Sequence, residues 1–147
     1  MTNNPKNCPF CSFTDRVIKD NASAYTILSN PRKVPGHFLV IPKRHTEKPW
    51  ELTAKEIQDV FKLIFFIEKS IIGKLGSGCD IRQNYRPFIE QDDVKMNHVL
   101  FHVIPRNKND YIYSVSEKFE VDLFAELDDL EHQEVAKLLD TKEASKE

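Results

Sequence analysis

The stretch Asn97–Arg106, NHVLFHVIPR, contains two histidines that could act as metal ligands, as half of a catalytic site or as part of a core. His98 and His102 are four residues apart, and Leu100 lies midway between them. The stretch is rich in β-branched and aromatic residues, and Pro105 would interrupt a helix, so the pattern predicts a strand. Because residues i, i+2 and i+4 of a strand share one face, His98, Leu100 and His102 point the same way. The opposite face carries core residues: Val99, Phe101 and Val103.

The pair Cys8-Pro-Phe-Cys11 is a second candidate for chemistry. Two thiolates at this spacing form half of a tetrahedral zinc site. A redox pair would require a βαβ context that the sequence lacks, and two unligated buried thiols are the plain alternative. A nucleic-acid-binding zinc finger is disfavoured, because no close pair of histidines follows about twelve residues later. Other zinc ligands would have to come from the five histidines of the chain: His37, His45, His98, His102 and His132.

The segment VPGHFLVIPKRH places His37 inside a hydrophobic strand and His45 just after its end. Taken alone, His37 is more typical of a core histidine and His45 of a surface one. A strand is also predicted for each of SAYTILSN, CDIRQNYRPFI and KMNHVLFHVIP. Thr53 and Glu56 form a capping box that begins an apolar helix, with Gly76 just past its end. The order β-β-α-β-β favours an α+β domain with an antiparallel sheet and a helix on one face.

Length and charge distribution indicate the domain organisation and the kind of ligand. The 147 residues suit one domain with a formal charge of −2, but Ser116–Glu147 has a net charge of −7 and residues 1–115 one of +5. A mildly basic body fits a small anionic ligand, although a solvated surface explains it nearly as well. We predict a domain over 1–115, and an acidic helical extension of the same domain over 116–147 that is disordered after Thr141. No secretory signal or spanning segment is visible, so we expect a cytoplasmic protein with reduced cysteines and no membrane or nucleic-acid partner.

The motifs VPGHFLVIPKRH and NHVLFHVIPR, separated by a helix, resemble the histidine triad (HIT) family. The similarity extends from about Cys8 to Arg106, and the opening Cys8-x-x-Cys11 is similar to the zinc-containing members. The resemblance implies a five-stranded antiparallel sheet with one long helix, a homodimer, and a site for purine nucleoside phosphates. The apolar stripe of the helix would be covered in the dimer, or alternatively by the acidic carboxyl-terminal segment.

The resemblance also implies roles for individual residues. Cys8, Cys11, His45 and His98 match the ligands of a structural Zn²⁺. His37 and His102 match the histidine that supports the triad and the last triad histidine, which contacts the phosphate. Ser29 or Asn30 falls near a ribose-hydroxyl partner, and Gln83 or Asn84 near an amide that touches the phosphate. Three basic residues invite a phosphate-binding role but are more typical of surface charges: Arg82, Arg86 and Lys95.

The family pattern carries a nucleophilic histidine in the middle of the triad, and this chain carries Leu100 there. Leucine cannot attack phosphorus, and His102 would lie about 7 Å farther along the strand. Three hypotheses follow. The protein binds nucleotides with absent or weak catalysis; or it derives from an active hydrolase or nucleotidyltransferase whose histidine was changed to Leu100; or it is a zinc-stabilised dimeric interaction module with a vestigial pocket.

Overall fold

The computed structural model of the chain describes residues 8–11, 15–91 and 96–140. Five strands form one antiparallel sheet in the order β1-β2-β3-β5-β4. Their bounds are Lys19–Asp20 (β1), Ala24–Leu28 (β2), Phe38–Pro42 (β3), Gly78–Arg82 (β4) and Phe101–Arg106 (β5). One long helix, α1, spans Ala54–Ile71. The predicted α+β class and five-stranded sheet are therefore confirmed.

Helix α1 begins at the predicted capping box. The Thr53 side chain accepts a hydrogen bond from the Glu56 backbone N–H, and Glu56 Oε1 accepts one from the Thr53 N–H. The helix ends earlier than the sequence predicts, with Ile72 as its C-cap followed by Gly73 at φ +84°. Gly73, rather than Gly76, thus supplies the left-handed conformation that terminates many helices.

The two faces of the sheet bury different sets of residues. On one face α1 packs through Val60, Leu63, Ile64 and Ile67 against Phe101 and Val103 of β5 and against Val99, which precedes that strand. On the other face a smaller cluster contains Tyr25, Ile27, Leu39 and Ile41, with Phe10, Val17 and Leu100 packed against it. The alternation predicted for the histidine segment is therefore present, although His98 and Leu100 precede the hydrogen-bonded part of β5. The polar side chains of interest lie on the face opposite α1.

The chain divides into two compact units, Met1–Ile112 and Tyr113–Glu147. In the described part of the second unit, Asp129–Ala136 forms a short helix, α2, capped by the Asp128 side chain. This helix buries none of its residues. The predicted domain boundary after residue 115 stays a prediction, and the disorder expected after Thr141 concerns residues outside those described. None of the helices in the described ranges has the length and apolar character that a membrane crossing requires.

Candidate metal centre and ligand cavity

Four potential metal ligands converge on one point at the edge of the sheet face opposite α1. Cys8, Cys11, His45 and His98 place their ligand atoms within 4.8 Å of one another. His98 Nδ1 lies 3.4 Å from Cys8 Sγ and 3.2 Å from His45 Nδ1, and Cys11 Sγ lies 3.2 Å from His45 Nδ1. These residues come from three distant segments of the chain, and the fold brings them together.

The spacing of the four atoms fits a tetrahedral ion. Bonds of about 2.3 Å to sulfur and about 2.0 Å to nitrogen give ligand–ligand edges of about 3.3 to 3.8 Å. Four of the six separations are 3.2 to 3.7 Å and agree within a few tenths of an ångström, and all six are within 4.8 Å. Two thiols and two imidazoles are also a donor set that zinc prefers.

The backbone around each ligand holds it in place. Cys8 precedes a single 3-10 turn, Pro9–Cys11, that ends at Cys11, and the Cys11 N–H donates to the Cys8 carbonyl. The Tyr25 hydroxyl donates to the Phe10 carbonyl of this turn at 2.6 Å. On the other side, the Val99 N–H donates to the Thr46 carbonyl at 2.7 Å, which fixes the residue after His45 beside the residue after His98.

The tautomer of His98 is set by its second nitrogen. His98 Nε2 lies 2.9 Å from the Pro42 carbonyl, which can only accept a hydrogen bond, so the imidazole carries its proton on Nε2. The unprotonated Nδ1 therefore faces the cluster with its lone pair, beside His45 Nδ1. A cation shared by the two Nδ1 atoms, which are 3.2 Å apart, requires the His45 Nδ1 to be unprotonated as well. Burial lowers the pKa of His98 to about 4, so that the ring is neutral at neutral pH.

A cavity of about 380 Å³, within the size range of small-molecule sites, lies beside the four potential ligands Cys8, Cys11, His45 and His98, which are called the metal cluster below. His98 and Phe10 contribute to its wall, so the cavity and the cluster share residues. The remaining lining residues include apolar, basic and polar side chains: Leu39, Ile89, Met96, Leu100, Arg32, Lys33, Arg86, Ser29, Asn30, Asn84, His37 and His102. No acidic side chain is present among the described residues that line it.

His37 and His102 form a hydrogen-bonded pair in this cavity. The backbone N–H of Lys33 donates to His37 Nδ1 at 3.1 Å, so the His37 proton must lie on Nε2. His37 Nε2 then donates to His102 Nδ1 at 2.9 Å, which leaves the His102 proton on Nε2. Burial, together with the nearby cationic Lys33 and Arg82, lowers the pKa of His37 to about 4. Burial, followed by His37, Lys33 and Arg82, lowers that of His102 equally, so the pair is neutral at neutral pH.

Leu100 occupies the wall of the cavity between the two histidine groups. Its side chain packs against the cluster of Tyr25, Ile27, Leu39 and Ile41 and is partly exposed to the cavity. Because His98, Leu100 and His102 share one face, residue 100 lies between the metal cluster and the His37–His102 pair. Any side chain at position 100 therefore contacts a molecule bound in the cavity.

The other candidate residues are only partly in the cavity. Ser29, Asn30 and Asn84 line it, whereas Gln83 lines a neighbouring volume of about 100 Å³, the side pocket. Arg86 lines both, and Arg82 forms an ion pair with Asp80 at 2.8 Å. Lys95 lies outside the described residues. Phe10, Arg32 and Lys33 also line the cavity, although no motif of the sequence marks them as cavity residues. Their proximity to Cys8-x-x-Cys11 and to the segment before His37 was the available signal.

Comparisons with known proteins show what the chain is similar to. The family model described as "HIT domain" matches residues 12–109. An uncharacterized HIT-like protein of Methanocaldococcus jannaschii is 32% identical over 112 residues, which cover 70% of this chain and 81% of that protein. The bis(5'-nucleosyl)-tetraphosphatase [asymmetrical] of Schizosaccharomyces pombe is 33% identical over 95 residues, which cover 61% of this chain and only 51% of the relative.

Solved structures show the same fold. A HIT family protein from Bacillus anthracis superposes with a TM-score of 0.70 at 20% identity, over 92% of this chain and 96% of that one. A Zn-bound histidine triad family protein from Mycobacterium smegmatis superposes with a TM-score of 0.61 at 24% identity, over 71% of this chain and 78% of that one. At these identities the likeness concerns the fold alone.

Proposed function

The chain belongs to the HIT domain family, and on that premise we propose that it binds a purine nucleoside phosphate without the covalent catalysis of an active triad. The ligand would occupy the cavity beside the metal cluster. The observation that carries this proposal is Leu100, which lies in the cavity wall next to the intact His37–His102 pair. The position that the resemblance gives to the nucleophile is thus filled by a side chain without a lone pair.

The neighbouring histidines do not supply a substitute nucleophile. His37 uses its Nδ1 lone pair to accept from the Lys33 N–H, and its Nε2 donates to His102. His102 uses its Nδ1 lone pair to accept from His37, so its Nε2 carries a proton. His98 directs its lone pair at the metal cluster. Attack by any of these three rings would require the loss of a hydrogen bond or of a metal bond.

The same hydrogen bonds favour binding of an anion. The protonated Nε2 of His102 is a donor, and its direction is fixed by the chain of bonds that begins at the Lys33 backbone. Arg32, Lys33 and Arg86 add positive charge to the cavity wall. A phosphate would gain charge-assisted hydrogen bonds from these groups. The Ser29 hydroxyl donates to the Pro31 carbonyl and keeps its lone pairs to accept from a ribose hydroxyl.

The decisive experiment compares the protein with its Leu100→His variant. Binding of AMP and GMP is measured by calorimetry, and turnover with a nucleoside phosphoramidate. We expect both proteins to bind a monophosphate. We expect the histidine variant to exceed the unmodified protein in turnover by at least three orders of magnitude, the scale seen when nucleophiles are removed elsewhere. Mass spectrometry should detect a nucleotidyl adduct on the variant alone.

Leu100→Gln is the matched control, because it changes the polarity of the wall without adding an imidazole. A gain in turnover with glutamine as large as that with histidine would show that polarity rather than nucleophilicity matters. If the unmodified protein already turns over the substrate at the rate of the Leu100→His variant, another group performs the attack and the proposal fails. If neither protein binds a nucleotide, the interaction-module hypothesis replaces it.

We further propose that the metal is a structural Zn²⁺ held by Cys8, Cys11, His45 and His98. The four-ligand geometry, which leaves no position open for a substrate, supports a structural ion. Bound there, the ion would tie the amino-terminal turn to the sheet. A reducing compartment such as the cytoplasm would keep the two thiols available for it.

We also propose that the protein is a homodimer that associates through α1. The outer surface of α1 carries an apolar groove lined by Ala54, Ile57, Gln58, Phe61, Lys62 and Phe65. Ile57 and Phe65 are 45% and 56% exposed within the single chain. A contiguous apolar surface on one helix is typical of a protein–protein interface, and a second copy would cover it.

A further inference from the structure

We infer that Cys8 and Cys11 form an oxidative modification site, at which a peroxide joins the two sulfurs in a disulfide and so removes two of the four potential metal ligands. The formation of the disulfide depends on the geometry of the two cysteines alone. Its effect on the metal rests on the zinc site proposed above. The protein would then bind zinc only while this pair is reduced.

The turn that carries the two cysteines has the geometry that a disulfide requires. The Cys11 N–H donates to the Cys8 carbonyl at 3.2 Å, which is the hydrogen bond of a tight turn whose end Cα atoms lie less than about 7 Å apart. A disulfide needs Cα atoms about 4.4 to 6.8 Å apart. The two sulfurs lie within 4.8 Å of each other, and both face the Nδ1 atom of His98, at 3.4 and 3.7 Å. Rotation about the side-chain bonds can therefore close the S–S bond without displacement of the sheet.

The two cysteines differ in their access to solvent. Cys8 is 5% exposed, whereas Cys11 is only partly buried. An oxidant dissolved in water therefore reaches Cys11 first, and Cys8 lies beside it as the sulfur that completes the disulfide. The third cysteine of the chain, Cys79, lies on β4 and outside the cluster. The fold thus favours the pairing of Cys8 with Cys11.

The reaction takes two steps, with hydrogen peroxide as the oxidant. The Cys11 thiolate attacks one peroxide oxygen, the O–O bond breaks and hydroxide leaves, so that Cys11 carries a sulfenic acid. The Cys8 thiolate then attacks the Cys11 sulfur, the S–S bond forms, the S–O bond breaks and a second hydroxide leaves. The two sulfurs together lose two electrons, which reduce one peroxide to two hydroxide ions. An excess of a small dithiol reduces the disulfide again and is itself oxidised to a cyclic disulfide.

The disulfide would leave the cluster unable to hold zinc. The thiolate is the form of cysteine that binds a metal, and the sulfurs of a disulfide do not carry its charge. His45 and His98 would remain as two imidazoles, whereas a structural zinc site requires four ligands. We therefore expect each disulfide that forms to release one zinc.

The test treats the zinc-loaded full chain with hydrogen peroxide and follows both thiols and metal. Free thiols, alkylated and located by peptide mass spectrometry, should fall from three to one. The peptide that contains both Cys8 and Cys11 should become lighter by two hydrogens. A chromogenic chelator should detect one released zinc per disulfide. Excess dithiothreitol should restore all three thiols and allow zinc to bind again.

Variants separate the roles of the two sulfurs. Cys79→Ser is the matched control, because Cys79 is partly buried like Cys11, and this variant should still lose two thiols and release zinc. Cys8→Ser removes the second sulfur, so dimedone should trap a sulfenic acid on Cys11. Cys11→Ser should give much less trapped sulfenic acid, because Cys8 is buried. If a variant does not fold, the result with the unmodified chain decides.

The disulfide and the zinc release are judged separately. If peroxide leaves three free thiols, or oxidises Cys11 to a sulfinic acid without joining it to Cys8, the modification site is wrong, whether or not zinc is bound. If the disulfide forms while zinc stays bound, the effect on the metal is wrong. If the disulfide forms in a protein that cannot be loaded with zinc, the zinc proposal is wrong and the modification site stands.

Discussion

Removal of the metal from the four-ligand cluster should lower the free energy of unfolding by about 4 kcal/mol. This value corresponds to a free zinc concentration about a thousandfold above the dissociation constant. Zinc-finger peptides gain more, because they are unfolded without their metal. Here the first unit, Met1–Ile112, has two hydrophobic clusters of its own, so the metal-free chain should remain folded.

Without a metal, the cysteine thiols of the cluster can form hydrogen bonds with its histidine rings. A protonated Cys8 thiol lies 3.4 Å from His98 Nδ1, and a protonated Cys11 thiol lies 3.2 Å from His45 Nδ1. Two weak S–H···N contacts would then replace four metal bonds. The loss on chelation is therefore the difference between these two arrangements rather than the whole binding energy.

Thermal unfolding before and after chelation measures this loss. With an unfolding entropy of about 2.1 cal/mol/K per residue, a unit of about 110 residues shifts by about 4 °C per kcal/mol, so Tm should fall by about 15 °C. Addition of zinc should restore it. Cys11→Ser should behave like the chelated protein, whereas the matched change at the third cysteine, Cys79→Ser, should keep both the metal and most of the stability, because Cys79 lies outside the cluster.

The zinc proposal can be refuted in two ways. Elemental analysis that finds less than half a zinc per chain, in protein purified without chelator, would show that the cluster does not hold the metal. A Tm that is unchanged by chelation would show that the metal, even if bound, does not tie the amino-terminal turn to the sheet.

Two further predictions concern pH and assembly. Acidification from pH 6.5 to pH 4 should lower the free energy of unfolding. The folded state holds the pKa of His37 and of His102 at about 4, below the ordinary value of 6.5. In this pH range the unfolded chain therefore binds more protons than the folded chain, which favours unfolding. His102→Asn should reduce the change of the unfolding free energy with pH, measured by urea unfolding at a fixed zinc concentration. If the variant and the unmodified protein show the same change with pH, the His37–His102 pair is not held neutral in the folded state. Light scattering at micromolar concentration should give twice the chain mass, and Phe65→Glu should give the monomer mass. A monomer from the unmodified chain would exclude the α1 interface.

Most of the sheet and its long helix could be predicted, because their signals are local. The capping box at Thr53 and Glu56 and the alternation around Phe101 are properties of short segments, and both are present in the structure. Strand β1 was not predicted, because its two residues, Lys19 and Asp20, show no apolar alternation. They form a strand because their backbone pairs with that of β2. The helix end was misplaced because Gly73 and Gly76 are equally good stop signals in sequence.

The candidate site was less accessible to sequence reasoning. Spacing alone identified half a metal site at Cys8 and Cys11, and the resemblance supplied His45 and His98. The distances between their ligand atoms depend on strand packing that no local pattern encodes. The direction of the hydrogen bonds through His37 and His102 depends on the Lys33 backbone N–H, which the sequence cannot reveal. Arg32 and Lys33 were missed for a similar reason, because a surface loop and a cavity wall look alike in sequence.

Phe10 connects the metal cluster with the ligand cavity. It lies between the candidate metal ligands Cys8 and Cys11, its ring centroid is 6.0 Å from that of the His98 imidazole, and it forms part of the cavity wall. If an ion binds the cluster and a molecule binds the cavity, both would restrain the same turn, and each would be a heterotropic effector of the other. Thermodynamic linkage requires the effect to be reciprocal: if zinc raises the affinity for the ligand by some factor, the ligand must raise the affinity for zinc by the same factor.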